Sequence, residues 1–158
     1  FLPPHYRGLL YYPDVFRRVI RAYRVEPAGA TFDVTHEFEF LRASDPLFRP
    51  CQMIAGPDGA MYVCDWRTDS GGAGKLWGDG KHGRIYRLSW RGNDEHPAIP
   101  LRGHDAWARI AKQSDDELFQ TLESEHFSDR LRAQQEIARR GDKHRPALLK
   151  LLGDEDNK

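Results

Sequence analysis

Residues 45–90 read DPLFRPCQMIAGPDGAMYVCDWRTDSGGAGKLWGDGKHGRIYRLSW, and this stretch decides the fold class of the chain. Two short apolar runs, 50–55 and 60–65, flank a Gly-Pro-Asp-Gly sequence of the kind that closes hairpins. A Gly-rich polar segment, 67–82, comes next, and residues 83–90 form a third short run. The pattern predicts three antiparallel strands, with an unusually long connection before the third.

Upstream, residues 7–25 are rich in Tyr, Phe, Val and Ile and are interrupted at Pro13-Asp14, which predicts two strands. Residues 31–40 alternate between apolar and polar positions, which predicts a half-buried strand. Its apolar face would carry Phe32, Val34, His36, Phe38 and Phe40. On that face His36 is expected to be a packed structural histidine and not a ligand. Six strands without an intervening helix favour an antiparallel all-β unit, and strand-rich blocks of this size are typical of β-propeller blades.

Helical patterns begin after residue 91. The chain is interpreted as partial β-propeller blades in 1–91, a linker in 92–112, and the start of HEAT-like α-helical repeats in 113–158. Ser114-Asp115-Asp116-Glu117 is a capping box, and Ser128 is predicted to cap a second helix that ends at Gly141. A third helix would carry Pro146 in its first turn. Inward positions of the second helix are predicted to be Leu131, Ile137 and Ala138, and its arginines (Arg130, Arg132, Arg139 and Arg140) are expected to form a solvated face.

The overall composition excludes some classes of function. Lysine plus arginine equals aspartate plus glutamate, at 24 each, so no global electric field favours nucleic acid. No apolar run is long enough for a membrane-spanning helix. Because the chain starts without methionine and stops soon after a helical pattern, it is expected to be an internal or C-terminal piece of a longer protein.

The hairpin around Gly56-Pro57-Asp58-Gly59 sets a register. A symmetric two- or four-residue loop places Cys51 opposite Cys64 and Arg49 opposite Trp66. Facing positions in such a ladder are near disulfide range, so a cross-strand disulfide and two free thiols both remain open. A bulge at Gly59 would shift the register and separate the two cysteines.

The candidate site lies at the end of this hairpin that is farther from the turn. Arg49, Asp65, Trp66 and Arg67 would meet loop residues there, including Lys75, Lys81 and His82. Arginine offers a planar fork for carboxylates, and Trp66 or Trp77 could stack on a flat ring. The alternative is that Arg49 and Asp65 form a structural ion pair. Asp69, Asp79 and His82 are oxygen and nitrogen donors in a Gly-rich loop, but such residues are common without metal, so no metal site is predicted.

Three stretches carry a family resemblance: FRPCQMIAGPDGAMYVCDW at 48–66, KHGRIYRLSW at 81–90 and DRLRAQQEIARRGD at 129–142. Together they resemble the C-terminal propeller portion of bacterial "membrane-bound dehydrogenase" proteins. In that family a propeller similar to the soluble glucose/sorbosone dehydrogenases precedes HEAT-like repeats and often a c-type cytochrome domain. The resemblance implies a mainly β fold, consisting of about the last two blades of a six-bladed propeller, followed by a small all-α segment.

The same resemblance implies a function. Quinoprotein members of the family oxidise a sugar or alcohol hydroxyl and pass the electrons to pyrroloquinoline quinone and then to a c-type cytochrome. By correspondence, Arg49 and Asp65 would lie near the quinone. Trp66, Arg67 and His82 are assigned to the same cofactor site because they are expected at the same end of the hairpin. The general-base histidine and the calcium-binding loop are expected outside this chain, and the protein is expected to be exported to the periplasm or cell surface. The alternative is a non-catalytic propeller that binds carbohydrate or protein, and the isolated chain is expected to be inactive.

Overall fold

The structure is a computed structural model that describes residues 2–66 and 83–153. The chain divides into two compact units, Phe1–Leu101 and Arg102–Lys158. The first contains the strands and the second the α-helices, so the predicted order of β structure followed by helices is confirmed. The boundary falls within the stretch 92–112 that was interpreted as a linker.

In its described residues, the first unit contains two three-stranded antiparallel sheets, each built from strands in sequence order. The first sheet comprises β1 (Leu10–Asp14), β2 (Val19–Ala28) and β3 (Thr31–Arg42), and a short 3-10 helix precedes it at Pro4–Tyr6. The second sheet comprises β4 (Pro50–Ala55), β5 (Met61–Asp65) and β6 (Arg84–Leu88). In both sheets the central strand pairs with both neighbours, as in a meander.

The core of this unit lies between the two sheets. Ile20 from β2, Phe48 from the loop before β4, and Val63 from β5 are buried together. Partly buried side chains from both sheets surround them, among them Tyr11, Phe40 and Leu41 from the first sheet and Met53, Tyr86 and Leu88 from the second. Phe48 therefore joins the two sheets, and its ring meets that of Tyr86 edge-on with the centroids 5.8 Å apart.

The prediction that β3 has one continuous apolar face is wrong. His36 pairs with Arg24, but Val34 pairs with Val25, so Thr35 is an extra, bulged residue. A bulge reverses the faces of the residues beyond it, and Phe32 and Val34 therefore point away from the face that carries His36 and Phe38. Phe32 is 65% exposed and Val34 is 58% exposed.

The prediction of a packed His36 is also wrong. His36 is exposed, and its ring lies 5.5 Å from that of Phe38 in a tilted contact. The reason is that β1 pairs only with residues 19–23 of β2, so the distal half of the β2–β3 ribbon extends beyond it. In the described part of the chain, no second layer covers His36.

Within residues 102–153, which the structure describes, the second unit contains four α-helices. They are α1 (Ala106–Ile110), α2 (Asp115–Leu122), α3 (Phe127–Arg140) and α4 (Arg145–Gly153), with a 3-10 helix at Asp142–His144. Helix α1 thus lies in the stretch interpreted as linker. The core of the unit consists of Ile110, Leu118, Ala133 and Ile137. Among the residues that the structure describes, no helix is long and apolar enough to cross a membrane.

The predicted helix ends are confirmed in part. Ser114 and Glu117 form the reciprocal capping box, and Gly141 ends α3 with a positive φ of 87°. Ser128 does not cap α3, because the helix begins at Phe127 and its N-cap is His126. Of the predicted inward residues of α3, Ile137 is buried and Leu131 is half-buried, but Ala138 is exposed.

Candidate functional site

The register of the β4–β5 hairpin decides which side chains meet at its open end. Gly59 has a φ of +84° and donates its backbone N–H to the carbonyl of Gly56, so the turn includes the bulge that the sequence left open. Consequently Gln52, and not Cys51, pairs with Cys64. A second bulge at Cys51 then restores the original register, and Pro50 pairs with Asp65.

The open end of the hairpin is closed by backbone contacts of Arg49. Trp66 N–H donates to the carbonyl of Arg49 at 2.9 Å, which confirms the predicted facing of these two residues. The Asp65 carboxylate accepts a hydrogen bond from the backbone N–H of Arg49 at 2.8 Å, and Asp65 is only 3% exposed. The Asp65 carboxylate therefore binds a backbone amide. This hydrogen bond extends the β4–β5 pairing by one residue beyond its last pair, Pro50 and Asp65.

The guanidinium of Arg49 is directed at the loop before β4. Its Nη1 donates to the carbonyls of Pro46 and Phe48, at 3.0 and 2.8 Å. Arg49 is 9% exposed, so these bonds satisfy a charged donor that is nearly buried. This arrangement gives Arg49 a structural role in holding the loop that carries Phe48 into the core.

Two more arginines reach the same loop. Arg18 donates to the carbonyl of Pro46 at 3.3 Å, and Arg84 contacts the Asp45 carboxylate at 3.3 Å. Arg18, Arg49 and Arg84 form a group that we call the arginine cluster. A hydrogen bond to Tyr86 raises the pKa of Arg84, with Asp45 and Asp65 adding to the effect, so this arginine stays charged. The cluster places positive charge beside the open end of the hairpin.

Trp66 completes the described part of the site. Its side chain follows directly after β5 and is 40% exposed, so part of its indole surface is accessible to a ligand. A planar guanidinium fork and an exposed indole suit a flat molecule that carries carboxylates. Arg67 and His82, which were predicted to join this site, lie outside the described residues, as do Asp69, Lys75, Trp77, Asp79 and Lys81.

Metal ligation receives no support from the described residues. Within 2–66 and 83–153, no group of three or more His, Cys, Asp or Glu side chains could hold a metal ion. The candidate loop ligands Asp69, Asp79 and His82 lie outside those ranges. The described part of the site contains the arginine cluster, the carboxylates of Asp45 and Asp65, and the indole of Trp66.

The sequence analysis missed a buried carboxylate in the hairpin turn. Asp58 is fully buried and accepts hydrogen bonds from the backbone N–H of Ala60 at 3.2 Å, the hydroxyl of Tyr62 at 3.0 Å and Nε of Arg87 at 2.7 Å. Burial by itself raises the pKa of Asp58, but the bonds from Arg87, Ala60 and Tyr62 outweigh it and the net shift is downward. Asp58 thus ties the turn to β6.

The sequence did contain a signal for this contact. Tyr62 pairs with Arg87 across β5 and β6, and Asp58 lies four residues before Tyr62. Gly56 belongs to the same arrangement, since a Cβ at that position would collide with the ring of Tyr62. The Gly-Pro-Asp-Gly sequence is therefore a structural centre of the second sheet.

A family model described as a domain of unknown function (DUF7133) matches residues 1–69. The match includes the first sheet, the β4–β5 hairpin and the open end with Arg49, Asp65 and Trp66. Searches of curated proteins and of solved structures found no match to this chain. The match ends before β6, and it carries no statement about activity.

The helical unit has a polar cleft of its own. Its volume is about 550 Å³, and its walls include Arg102, Arg109, Gln113, Glu117, Gln120 and Asp129. The buried Asp129 is held by Arg102 through two hydrogen bonds of 2.6 and 3.0 Å. The lining mixes both signs of charge, so it selects for no single class of charged ligand.

The prediction of a solvated arginine face on α3 agrees with Arg139, whose side chain is 72% exposed, but it is wrong for Arg140, whose side chain is 18% exposed. Arg139 and Arg140 both bond the carboxylate of the nearly buried Glu136, at 2.6 and 2.8 Å. Arg140 also reaches Asp115 of α2 at 2.7 Å, and Arg132 lies over the ring of Trp107 at 4.3 Å. Arg140 and Arg132 therefore join α3 to α2 and α1, because their long side chains lie across the helix surface and reach partners on the neighbouring helices.

This network predicts acid sensitivity of the helical unit. Bonds from Arg139 and Arg140 lower the pKa of Glu136 from 4.5 to about 2, and bonds from Lys143 and Arg140 lower the pKa of Asp115 from 3.8 to about 2. A carboxylate whose pKa is lower in the folded protein than in the unfolded chain stabilises the fold at any pH above its unfolded-state pKa. This stabilisation is lost as the pH falls through the pKa of the folded protein. We therefore expect the melting temperature to fall between about pH 4.5 and about 2.

The measurement is thermal unfolding followed by circular dichroism in the helical region of the spectrum, across that range. Glu136→Gln is the matched variant, because it keeps the size of the side chain and removes the titration. It should melt lower than the unaltered protein at neutral pH, and the difference should shrink in acid. Parallel pH profiles for the two proteins would contradict this prediction.

Proposed function

We propose that the β-rich unit is the terminal portion of a β-propeller, of which the two sheets are consecutive blades. The support is the distribution of apolar residues on both faces of each sheet. One face of each sheet contributes to the core around Phe48. The opposite face of the first sheet exposes Leu10, Tyr12, Val34 and Phe32, and that of the second exposes Ile54 and Ile85. Sheets that lie between neighbours on both sides need apolar residues on both faces, whereas a two-layer sandwich needs them on one.

We further propose that the complete protein is a quinoprotein-type dehydrogenase that oxidises a sugar or alcohol hydroxyl. The observation that carries this proposal is the position of the half-exposed Trp66 at the end of the second sheet where two arginines also lie. Its backbone N–H binds the carbonyl of Arg49, and Arg84 pairs with the preceding residue, Asp65. Pyrroloquinoline quinone is flat and carries carboxylates, so an indole face and guanidinium groups fit its shape and charge. When bound, the quinone accepts the electrons of the oxidation.

In this proposal the chain supplies one wall of the site. Trp66 orients the quinone by stacking, and the cluster formed by Arg18, Arg49 and Arg84 attracts its carboxylates. Asp65 holds the backbone of Arg49 and so keeps the wall in place. The general base, the calcium ion and the cytochrome that receives the electrons would come from other parts of the exported protein or from partners.

The test of the site is a titration of pyrroloquinoline quinone with Trp66→Ala. Loss of the stacking surface is expected to weaken binding about tenfold, since an aromatic pair contributes on the order of 1 kcal/mol beyond its buried area. Binding is measured by calorimetry on the protein that contains this chain with its remaining blades. Phe127→Ala, at an exposed aromatic of the helical unit, is the control and should bind normally. If the unaltered protein and Trp66→Ala bind the quinone with equal affinity, Trp66 does not contribute to quinone binding.

A second candidate is a non-catalytic propeller that binds carbohydrate or protein. It is favoured by the commitment of the Arg49 guanidinium to the carbonyls of Pro46 and Phe48, which is a structural use of the residue. Assay of the complete protein with quinone and calcium separates the two functions. Dye-linked oxidation of sugars or alcohols supports the dehydrogenase, whereas absence of both activity and quinone binding over a broad panel supports the binding module.

A further inference from the structure

The bulge in β4 brings the two cysteines of the chain together. Residues 51 and 52 both oppose Cys64, because a bulge places two residues of one strand against one residue of its partner. The Sγ of Cys51 donates to the backbone carbonyl of Cys64 at 3.4 Å, which confirms that the side chain of Cys51 turns toward β5. Both cysteines are free thiols in this structure.

Cys64 lies on the face of the second sheet that points away from Phe48. Val63 is buried in the core between the sheets, so the next residue of β5, Cys64, points to the opposite face. Cys51 is exposed and Cys64 is half-buried. In this chain by itself, a soluble disulfide reagent can approach Cys51 first, and Cys64 lies where it can attack second.

We propose that Cys51 and Cys64 are a redox-active pair that closes to a cross-strand disulfide in the presence of a small disulfide oxidant such as glutathione disulfide. The Cys51 thiolate attacks one sulfur of the oxidant and releases one glutathione thiolate. The Cys64 thiolate then attacks Cys51 in the mixed disulfide and releases the second glutathione. Two protein thiols are oxidised, and one oxidant molecule is reduced to two thiols.

The disulfide would lie beside the candidate site. Asp65 follows Cys64 directly, and Pro50, which precedes Cys51, pairs with Asp65. A Cys51–Cys64 disulfide would hold the bulge at Cys51 in place, and this bulge sets the pairing of Pro50 with Asp65. The bond would therefore make the open end of the hairpin, where Arg49 faces Trp66, more rigid. The proposal concerns the thiol chemistry of the hairpin, and it does not depend on whether the site binds a quinone.

The electrostatic surroundings predict how the first step responds to pH. Burial, the neighbouring Cys64 and Asp65 all raise the pKa of Cys51 above its ordinary value. The thiolate is the attacking species, so closure is expected to be slow at neutral pH and to accelerate as the pH approaches the raised value.

The experiment incubates the purified chain with glutathione disulfide and follows it by intact mass and thiol titration. The expected product has lost the mass of two hydrogen atoms, has no titratable thiol, and yields on digestion one cross-linked peptide pair containing Cys51 and Cys64. Its melting temperature should be higher by roughly 5–10 °C, because the bond closes a loop of about 15 residues in the unfolded chain.

Two variants make the result decisive. Cys64→Ser leaves Cys51 without its second partner and should stop at the mixed disulfide, with one glutathione added per chain. Cys51→Ser should react more slowly, because its remaining thiol is half-buried. Persistence of the mixed disulfide in the unaltered chain, disulfide-linked dimers as the main product, or two unreacted thiols after prolonged oxidation would each overturn the proposal.

Discussion

Replacing Phe48 by alanine is expected to lower the free energy of unfolding of the β-rich unit by about 4 kcal/mol. Phe48 is 1% exposed and lies between Ile20 of the first sheet and Val63 of the second. Its removal leaves a cavity at the junction of two sheets, each of which has few other fully buried side chains. Because β-strands surround the cavity, the site cannot collapse without moving the ladder hydrogen bonds.

Urea unfolding followed by circular dichroism in the β-sheet region of the spectrum measures this loss. Phe16→Ala is the matched control, since Phe16 lies between β1 and β2 and is 76% exposed. The control should change the free energy of unfolding by less than about 0.5 kcal/mol. If both substitutions had the same small effect, Phe48 would not join the sheets as described.

The second large effect is expected from Asp58→Ala. The substitution removes the acceptor of three hydrogen bonds, from the backbone of Ala60, the hydroxyl of Tyr62 and the guanidinium of Arg87. Donors left without an acceptor in a buried turn are costly, and we expect a loss of about 3 kcal/mol in the free energy of unfolding. Most of the loss should be local, in the turn and in the pairing of β5 with β6.

Hydrogen exchange resolves where the loss occurs. The amides of residues 61–65 and 84–88 should exchange faster in Asp58→Ala, whereas those of the helical unit should not change. Asp94→Ala, at an exposed aspartate in the bend after β6, should leave exchange unaltered throughout. Arg87→Ala should have a smaller effect than Asp58→Ala, because Asp58 keeps two of its donors. A larger effect of the arginine variant would show that Asp58 is not the centre of the turn.

The local parts of the fold were predictable because their causes are local. The strand β4 occupies residues 50–55 as predicted, and the Ser114 capping box is present. Apolar alternation, turn chemistry and capping act over a few residues, so they can be recognised in the sequence. The facing of Arg49 and Trp66 is also as predicted, but only because the bulge at Cys51 offsets the register shift made by the turn bulge at Gly59.

Errors arose where one extra residue changes a register. The bulge at Thr35 moved Phe32 and Val34 to the other face of β3, and the turn bulge at Gly59 moved Gln52 opposite Cys64. A bulge places two residues of one strand opposite one residue of its partner, so it depends on both strands and on what each of them packs against. Alternation within a single strand cannot reveal it. The prediction for His36 failed for another reason, because β1 pairs only with residues 19–23 of β2 and leaves that half of the ribbon uncovered.

The sequence by itself determined the types and order of the elements, the ends of several of them, and the residue types available at the open end of the β4–β5 hairpin. Tertiary structure alone decided the partners of the charged side chains: Arg49 with backbone carbonyls, Asp65 with a backbone amide, and Asp58 with Arg87. The physical reason is that carboxylates and guanidiniums accept many partners equally well. Which partner each one finds is set by the packing that brings groups distant in sequence within hydrogen-bond reach.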